Sequence, residues 1–165
     1  SQDKGIVAHP EKIRIDEIIK ETTVLMKNSV EAKQITLTHD LPSGEIAFFD
    51  PQMIRLVLRN LLSNAVKFTP LKGTIAVNLS SNKNQVEVTI SDSGVGMDHE
   101  TLVKVFDAKY HYTTIGTMDE RGSGLGLKLA QEFIAINGGR LWAESTPAIG
   151  TTVHFTLPKG PVLPA

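Results

Sequence analysis

Apolar residues along this chain recur first at helical spacing and then in alternation, and the switches between the two patterns mark out the elements. Ile18, Ile19, Thr22, Leu25, Met26 and Val30 share one helical face, which predicts a helix from a cap at Asp16 to about residue 33. ITLTHD then alternates like a strand, LPSG turns the chain, and EIAFF gives a second strand. Asp50-Pro51 pairs an N-cap with a proline suited to the first helical position, so a long helix is expected from there to Phe68, stopped by Thr69-Pro70. GTIAVNLSS and QVEVTISD form a predicted hairpin around Asn82-Lys83-Asn84. Asp98 caps a short helix through Phe106, a further helix opens after Gly126 and runs to Asn137, and Gly138-Gly139 ends it. RLWAES and TTVHFTLP close the chain as two strands, with Trp142 expected in the core.

Between the short helix and the glycines, residues 107 to 121 are polar and aperiodic, too long for an ordinary connector. Helices and hairpins come in blocks instead of strict alternation. That points to an α+β fold, one mixed sheet covered on one face by helices. Residues 1 to 10 read as a flexible lead-in, 11 to 158 as one domain, and 159 to 165 as a tail.

Composition narrows the functional classes. With 165 residues, 41% of them hydrophobic, the chain can build one real core. Lysine and arginine total 17 against 18 acidic residues, a net charge of -1, which argues against nucleic-acid binding by phosphate neutralisation. There is no cysteine, hence no disulfide framework and no thiolate chemistry. An intracellular, cytoplasmic setting is expected. No apolar run reaches the roughly 18 residues of a membrane span, so no direct membrane contact is expected. Ser1 in place of Met predicts a piece of a larger protein.

The candidate chemistry lies in three places. On the helix from Pro51 to Phe68, at about 100° per residue, Asn60, Asn64 and Lys67 share a narrow arc beside the stripe of Ile54, Leu58, Leu61, Leu62 and Ala65. Carboxamides there either bond neighbouring backbone, with Lys67 reaching to water, or form a face for a hard cation and phosphate. SDSGVGM ends a strand, and Asp92 beside alternating glycines offers an acceptor next to backbone that a flat base can approach, with Val95 and Met97 as apolar wall. RGSGLGLKLAQEFI sets Gly122, Gly124 and Gly126 ahead of a helix whose positive end suits a polyphosphate. A dinucleotide-binding turn would follow a strand directly, and a Walker-type loop would carry Lys-Ser or Lys-Thr where Leu127 stands; neither applies.

Taken together, NLLSNAVKF, SDSGVGM, KVFD and GSGLGL, closed by IGTTVHFTLP, resemble the ATP-binding domain of sensor histidine kinases. That domain belongs with the gyrase, mismatch-repair and heat-shock-chaperone ATPases. The motifs match its asparagine box, first glycine box, phenylalanine box and second glycine box over residues 12 to 158. The resemblance implies a two-layer α/β sandwich of Bergerat type, with a mixed, mostly antiparallel sheet. It implies ATP and magnesium as cofactors. Asn64 would bind the metal, Asn60 would support the same face, and Lys67 would contact phosphate. Phe68 would lie against the adenine and Asp92 would accept from its amine, with Gly94, Gly96 and Met97 shaping the pocket and Thr151 reaching Asp92 through a water. Gly122, Gly124, Leu125 and Gly126 would line the phosphates. Residues 107 to 121 would form a lid anchored by Phe106, with Lys109 and Arg121 as candidates for the γ-phosphate.

The implied activity is γ-phosphoryl transfer from ATP to a histidine on a helical dimerisation domain of the same parent protein, and from there to a response regulator. His9, His39, His99, His111 and His154 lie outside any phosphoacceptor motif and read as ordinary surface or core residues. The wider family's ATPases have a water-activating glutamate where this chain has Asn60, so suppressed hydrolysis is expected. A non-catalytic nucleotide-sensing module and an anti-sigma-type serine kinase of the same superfamily stay open as alternatives.

Overall fold

A computed structural model describes residues 5–107 and 126–161. Lys109, Arg121, Gly122, Gly124, Leu125, His111 and the lid beyond Asp107 lie outside the described residues. The elements run β1 (Glu11–Arg14), α1 (Ile15–Leu25), α2 (Lys27–Ala32), β2 (Thr36–Asp40), β3 (Ile46–Phe49), α3 (Pro51–Phe68), β4 (Thr74–Ser81), β5 (Gln85–Asp92), α4 (His99–Val105), α5 (Leu127–Ile136), β6 (Leu141–Thr146) and β7 (Gly150–Pro158). The main sheet has five strands in the order β2-β4-β5-β7-β6. Its β2–β4 pair is parallel and the other pairs are antiparallel. The mixed, mostly antiparallel sheet with helices on it is the expected α+β sandwich.

Alternation decides which face is covered. Ile75, Val77 and Leu79 of β4, Val86, Val88 and Ile90 of β5, and Phe155 and Leu157 of β7 are buried beneath α1, α3 and α5. The opposite face carries Glu87, Glu144, Trp142 and His154. His154 lies between the two carboxylates, 3.4 Å from Glu87 and 2.6 Å from Glu144, and stacks on Trp142 with ring centroids 4.9 Å apart. Trp142 therefore belongs to the open face, not to the core. It pairs with His154 across the strands, one position out of phase with the inward Leu141 and Phe155.

The long helix begins and ends where its sequence predicts. Asp50 Oδ1 accepts from the amides of Gln52 and Met53, Pro51 takes the first position, and Thr69 follows Phe68. Oδ2 accepts from the His9 amide, so the segment before β1 is tied to this cap. Loss of hydration works against the charge on Asp50, but the amides of His9, Met53 and Gln52 outweigh it and hold its pKa below the ordinary carboxylate value. Asp50→Ala is expected to cost about 1–2 kcal/mol at neutral pH. A lowered pKa stabilises above the unfolded value and stops doing so as pH falls through the folded one. Parent and variant should therefore converge in acid, which urea titrations across that range would measure.

Two further expectations are revised, and the pairing of two strands goes beyond what the sequence stated. Asp16 is not a cap: helix α1 starts at Ile15 behind Arg14, and Asp16, fully buried, accepts from Arg14 Nη2 at 2.8 Å and the Gly44 amide at 3.2 Å. The first helix does not run unbroken to residue 33. It resets at Met26, and Leu25 is 64% exposed. Finally, β2 and β3 do not pair across LPSG. β2 joins β4, while β3 pairs with β1, a strand that the polar residues Glu11, Lys12 and Arg14 conceal.

Candidate nucleotide site

Three chain segments converge at one end of the sheet, beneath the C-terminal half of α3. Helical spacing brings Asn60, Asn64 and Lys67 to one side of α3. Asn60 and Lys67 are 3% and 4% exposed, and Asn64 is half-buried. Lys67 does not extend into water. Its Nζ lies 4.8 Å from the centroid of the Phe68 ring, in cation–π contact. One buried and one half-buried carboxamide with an ammonium on one helix face form a donor set suited to a hard cation and phosphate oxygens.

Asp92 ends β5 on the inward face, in register with Thr151 of β7 and in phase with Ile90. Its Oδ1 accepts from the Gly94 amide at 2.8 Å and from the Thr151 amide at 3.2 Å. Among the described residues both hydrogen bonds fall on Oδ1, so the carboxylate is oriented and Oδ2 is left to accept from a ligand. Loss of hydration raises the pKa of Asp92 above its ordinary value, and the two amides offset this only in part. An oriented, half-buried acceptor fits an exocyclic amine.

Thr151 is bonded to Asp92 directly through its main-chain amide. Its hydroxyl lies 2.7 Å from Ser145 Oγ. Ser145 also accepts from the Met97 amide at 2.8 Å and donates to the Gly150 carbonyl at 3.2 Å. A hydroxyl has one proton, so Thr151 is the donor to Ser145. Ser145 thus joins the glycine loop to β7, a role that sequence reading missed. The available signal was its parity: it shares the inward row of β6 with Leu141 and Ala143, a costly place for an unpartnered hydroxyl. A cavity of about 270 Å³ at the β6–β7 turn borders Asp92, its lining running from Ser145, Gly150 and Thr151 across to Glu144 and Thr152.

The glycines of the first box serve the chain's own packing as well as any ligand. A Cβ on Gly94 would come within 2.6 Å of the Phe68 carbonyl oxygen, and one on Gly96, at φ +68°, would strike the Thr146 carbonyl. Gly126 differs. It is the N-cap of α5 with ordinary φ, and a Cβ there would meet nothing within 4 Å among the described residues. Space above a helix N-terminus is where a phosphate chain fits.

A five-stranded mixed sheet under three helices, with an amide-rich helix face opposite an oriented aspartate, defines a nucleotide-binding ATPase domain. The chain belongs to the family of histidine kinase-, DNA gyrase B- and HSP90-like ATPases, whose family model matches residues 49–161. ATP binding comes with that membership. Among curated proteins it is 34% identical over 152 residues to an adaptive-response sensory kinase, SasA, of Synechocystis, covering 91% of this chain and 39% of that protein. It is 33% identical over 129 residues to the sensor histidine kinase WalK of Bacillus subtilis, covering 76% of this chain and 21% of WalK. The chain thus spans well under half the length of these relatives. Among solved structures, the catalytic domain of histidine kinase ThkA superimposes with a TM-score of 0.80 at 26% identity, over 93% of this chain and 99% of that domain. Among the described residues no helix is long and apolar enough to cross a membrane.

Proposed function

We propose that this chain is the catalytic ATP-binding domain of a sensor histidine kinase, working on a phosphoacceptor histidine carried by a helical dimerisation domain of its parent protein. The observation that carries this reading is the oriented carboxylate of Asp92 on a loop bonded, through the Val95 amide, to the end of the helix that bears Asn60, Asn64 and Lys67. Bound ATP with magnesium would supply the γ-phosphoryl group. Asn64 would hold the metal with Asn60 beside it, Lys67 would neutralise phosphate charge, and Asp92 would anchor the adenine amine. Phe68, Gly94, Gly96 and Met97 would shape the base pocket, and Gly126 with the amides of α5 would seat the phosphates.

Such transfer depends on positioning and charge neutralisation more than on a protein nucleophile. An amide at position 60 cannot accept a proton from water, which supports transfer over hydrolysis. The sequence relatives SasA and WalK are named as kinases, which favours this reading over a sensing module or a serine kinase. A response regulator would receive the phosphoryl group next; ThkA has been crystallised with one, TrrA.

The test is incubation with γ-labelled ATP, alone and with a separately supplied helical hairpin bearing the acceptor histidine. Acid-labile, alkali-stable label is expected on the hairpin in magnesium and not in EDTA. Label on this chain alone, or transfer indifferent to EDTA, would refute the reading.

A further inference from the structure

Lys33 follows α2 at its C-cap, meets α3 at its C-terminal end, and is 3% exposed. Its Nζ donates to the carbonyls of Val66 at 2.8 Å, Lys67 at 3.0 Å and Thr69 at 3.0 Å. Val66 and Lys67 belong to the last turn of α3, where carbonyls run short of intrahelical donors, and Thr69 is its C-cap. Val66 has besides only a long bond from the Thr69 amide at 3.3 Å among the described residues. The neighbours are accounted for as well. The Ala65 carbonyl accepts from the amide and hydroxyl of Thr69, and the Phe68 carbonyl accepts from the Val95 amide at 3.2 Å. One ammonium therefore gathers the carbonyls on either side of Phe68, while that of Phe68 itself turns outward to the Asp92–Met97 loop. The Gly94 backbone lies against the same Phe68 carbonyl, too close to admit a Cβ. The main chain of Lys33 is fixed too, since its carbonyl accepts from the Lys72 amide at 2.9 Å. A positive charge at a helix C-terminus is favoured by the dipole, and only a lysine offers three donors from a single point.

We infer that Lys33 is a positioning residue for nucleotide binding: by holding the last turn of α3 it sets the Asn64–Lys67 face at a fixed distance from Asp92, so that both ends of one nucleotide are met together. This rests on the nucleotide-binding reading above. Lys33 touches neither end of the ligand; it acts through the Phe68–Val95 hydrogen bond.

The test compares the parent with Lys33→Met, which keeps the length of the side chain and loses its donors. At a temperature where the variant remains folded, calorimetry should show ADP binding weakened about tenfold, the scale on which groups supporting a binding residue act. Amide exchange at Val95 should quicken in the ligand-free variant while the amides of β4, β5 and β7 keep their protection. Because the chain has no cysteine, Lys33→Cys can be alkylated with bromoethylamine while unfolded, then refolded. The restored ammonium should return both readouts to parental values. ADP affinity unchanged in folded Lys33→Met overturns the inference, since a purely structural role would lower the melting temperature alone. If Lys33→Met does not fold, Lys33→Arg decides. Its planar guanidinium cannot serve three carbonyls from one nitrogen, so weaker ADP binding is expected and parental affinity overturns the inference. Failure of the parent to bind ADP would defeat the nucleotide reading instead, and Val95 exchange in the free variants would still report on Lys33.

Discussion

Asp92→Ala should raise the dissociation constant for ATP roughly five- to hundred-fold. The aspartate carries the oriented acceptor that the base amine would use, and a buried donor left without a partner costs about 1–3 kcal/mol. Discrimination against GTP should weaken in parallel, because guanine presents a carbonyl where adenine presents its amine. Calorimetry with the two nucleotides gives both numbers, and parental ATP affinity in the variant would remove Asp92 from the base pocket. Binding should also depend on pH through this group. Loss of hydration raises its pKa despite the amides of Gly94 and Thr151. As pH falls through that raised value the carboxylate gains a proton and ceases to be a pure acceptor, so affinity declines before ordinary carboxylates titrate. Stability moves the other way. The folded state binds the proton more tightly than the unfolded chain, so this group's contribution to stability grows as pH falls and is complete below the unfolded value. Asp92→Asn should lose both trends.

Gly96→Ala should destabilise the domain by roughly 2–5 kcal/mol, since an alanine there combines left-handed backbone strain with a collision against main chain. Gly96 sits at φ +68°, and its missing side chain leaves room for the Thr146 carbonyl in the turn before β7. That turn is also held by the Ala148 amide, which donates to the Val95 carbonyl at 2.7 Å. Moving it would pull Gly150 away from the Asp92 main chain and disturb the nucleotide site along with the fold. Gly126→Ala is the matching control, with ordinary φ and no described residue within 4 Å of the added methyl. It should melt close to the parent while binding ADP more weakly, because its added methyl would occupy the space assigned to phosphate. Melting curves and calorimetry on both variants separate a glycine required by packing from one required by a ligand. Equal melting temperatures for the two would contradict the assignment.

Much of this architecture could be read before any coordinates. The Asp50-Pro51 start of α3, its stop at Phe68, the hairpin around residues 82–84 and the cap at Asp98 all stand where expected, because each depends on residues a few positions apart. The same locality placed Asn60, Asn64 and Lys67 on one face. The errors have a common source in pairing over distance. Strand β1 is polar by composition and exists because β3, more than thirty residues on, offers it a ladder. Asp16 looked like a cap because nothing nearby revealed that the distant Gly44 would join Arg14 in enclosing it. Trp142 looked like core because its size favours burial, whereas one step of strand register put it on the open face.

By itself, then, the amino-acid sequence determined what short-range chemistry can encode: the helices and their caps, the hairpin, the order of the four boxes and the family they define. Only the tertiary structure decided that Ser145 joins the glycine loop to β7, that Gly96 is needed for the Thr146 carbonyl, and that Lys33 closes the end of α3. Each of those roles belongs to a contact between segments far apart in the chain. Periodicity states which way a side chain faces, but burial and hydrogen bonding depend on what the fold brings to meet it.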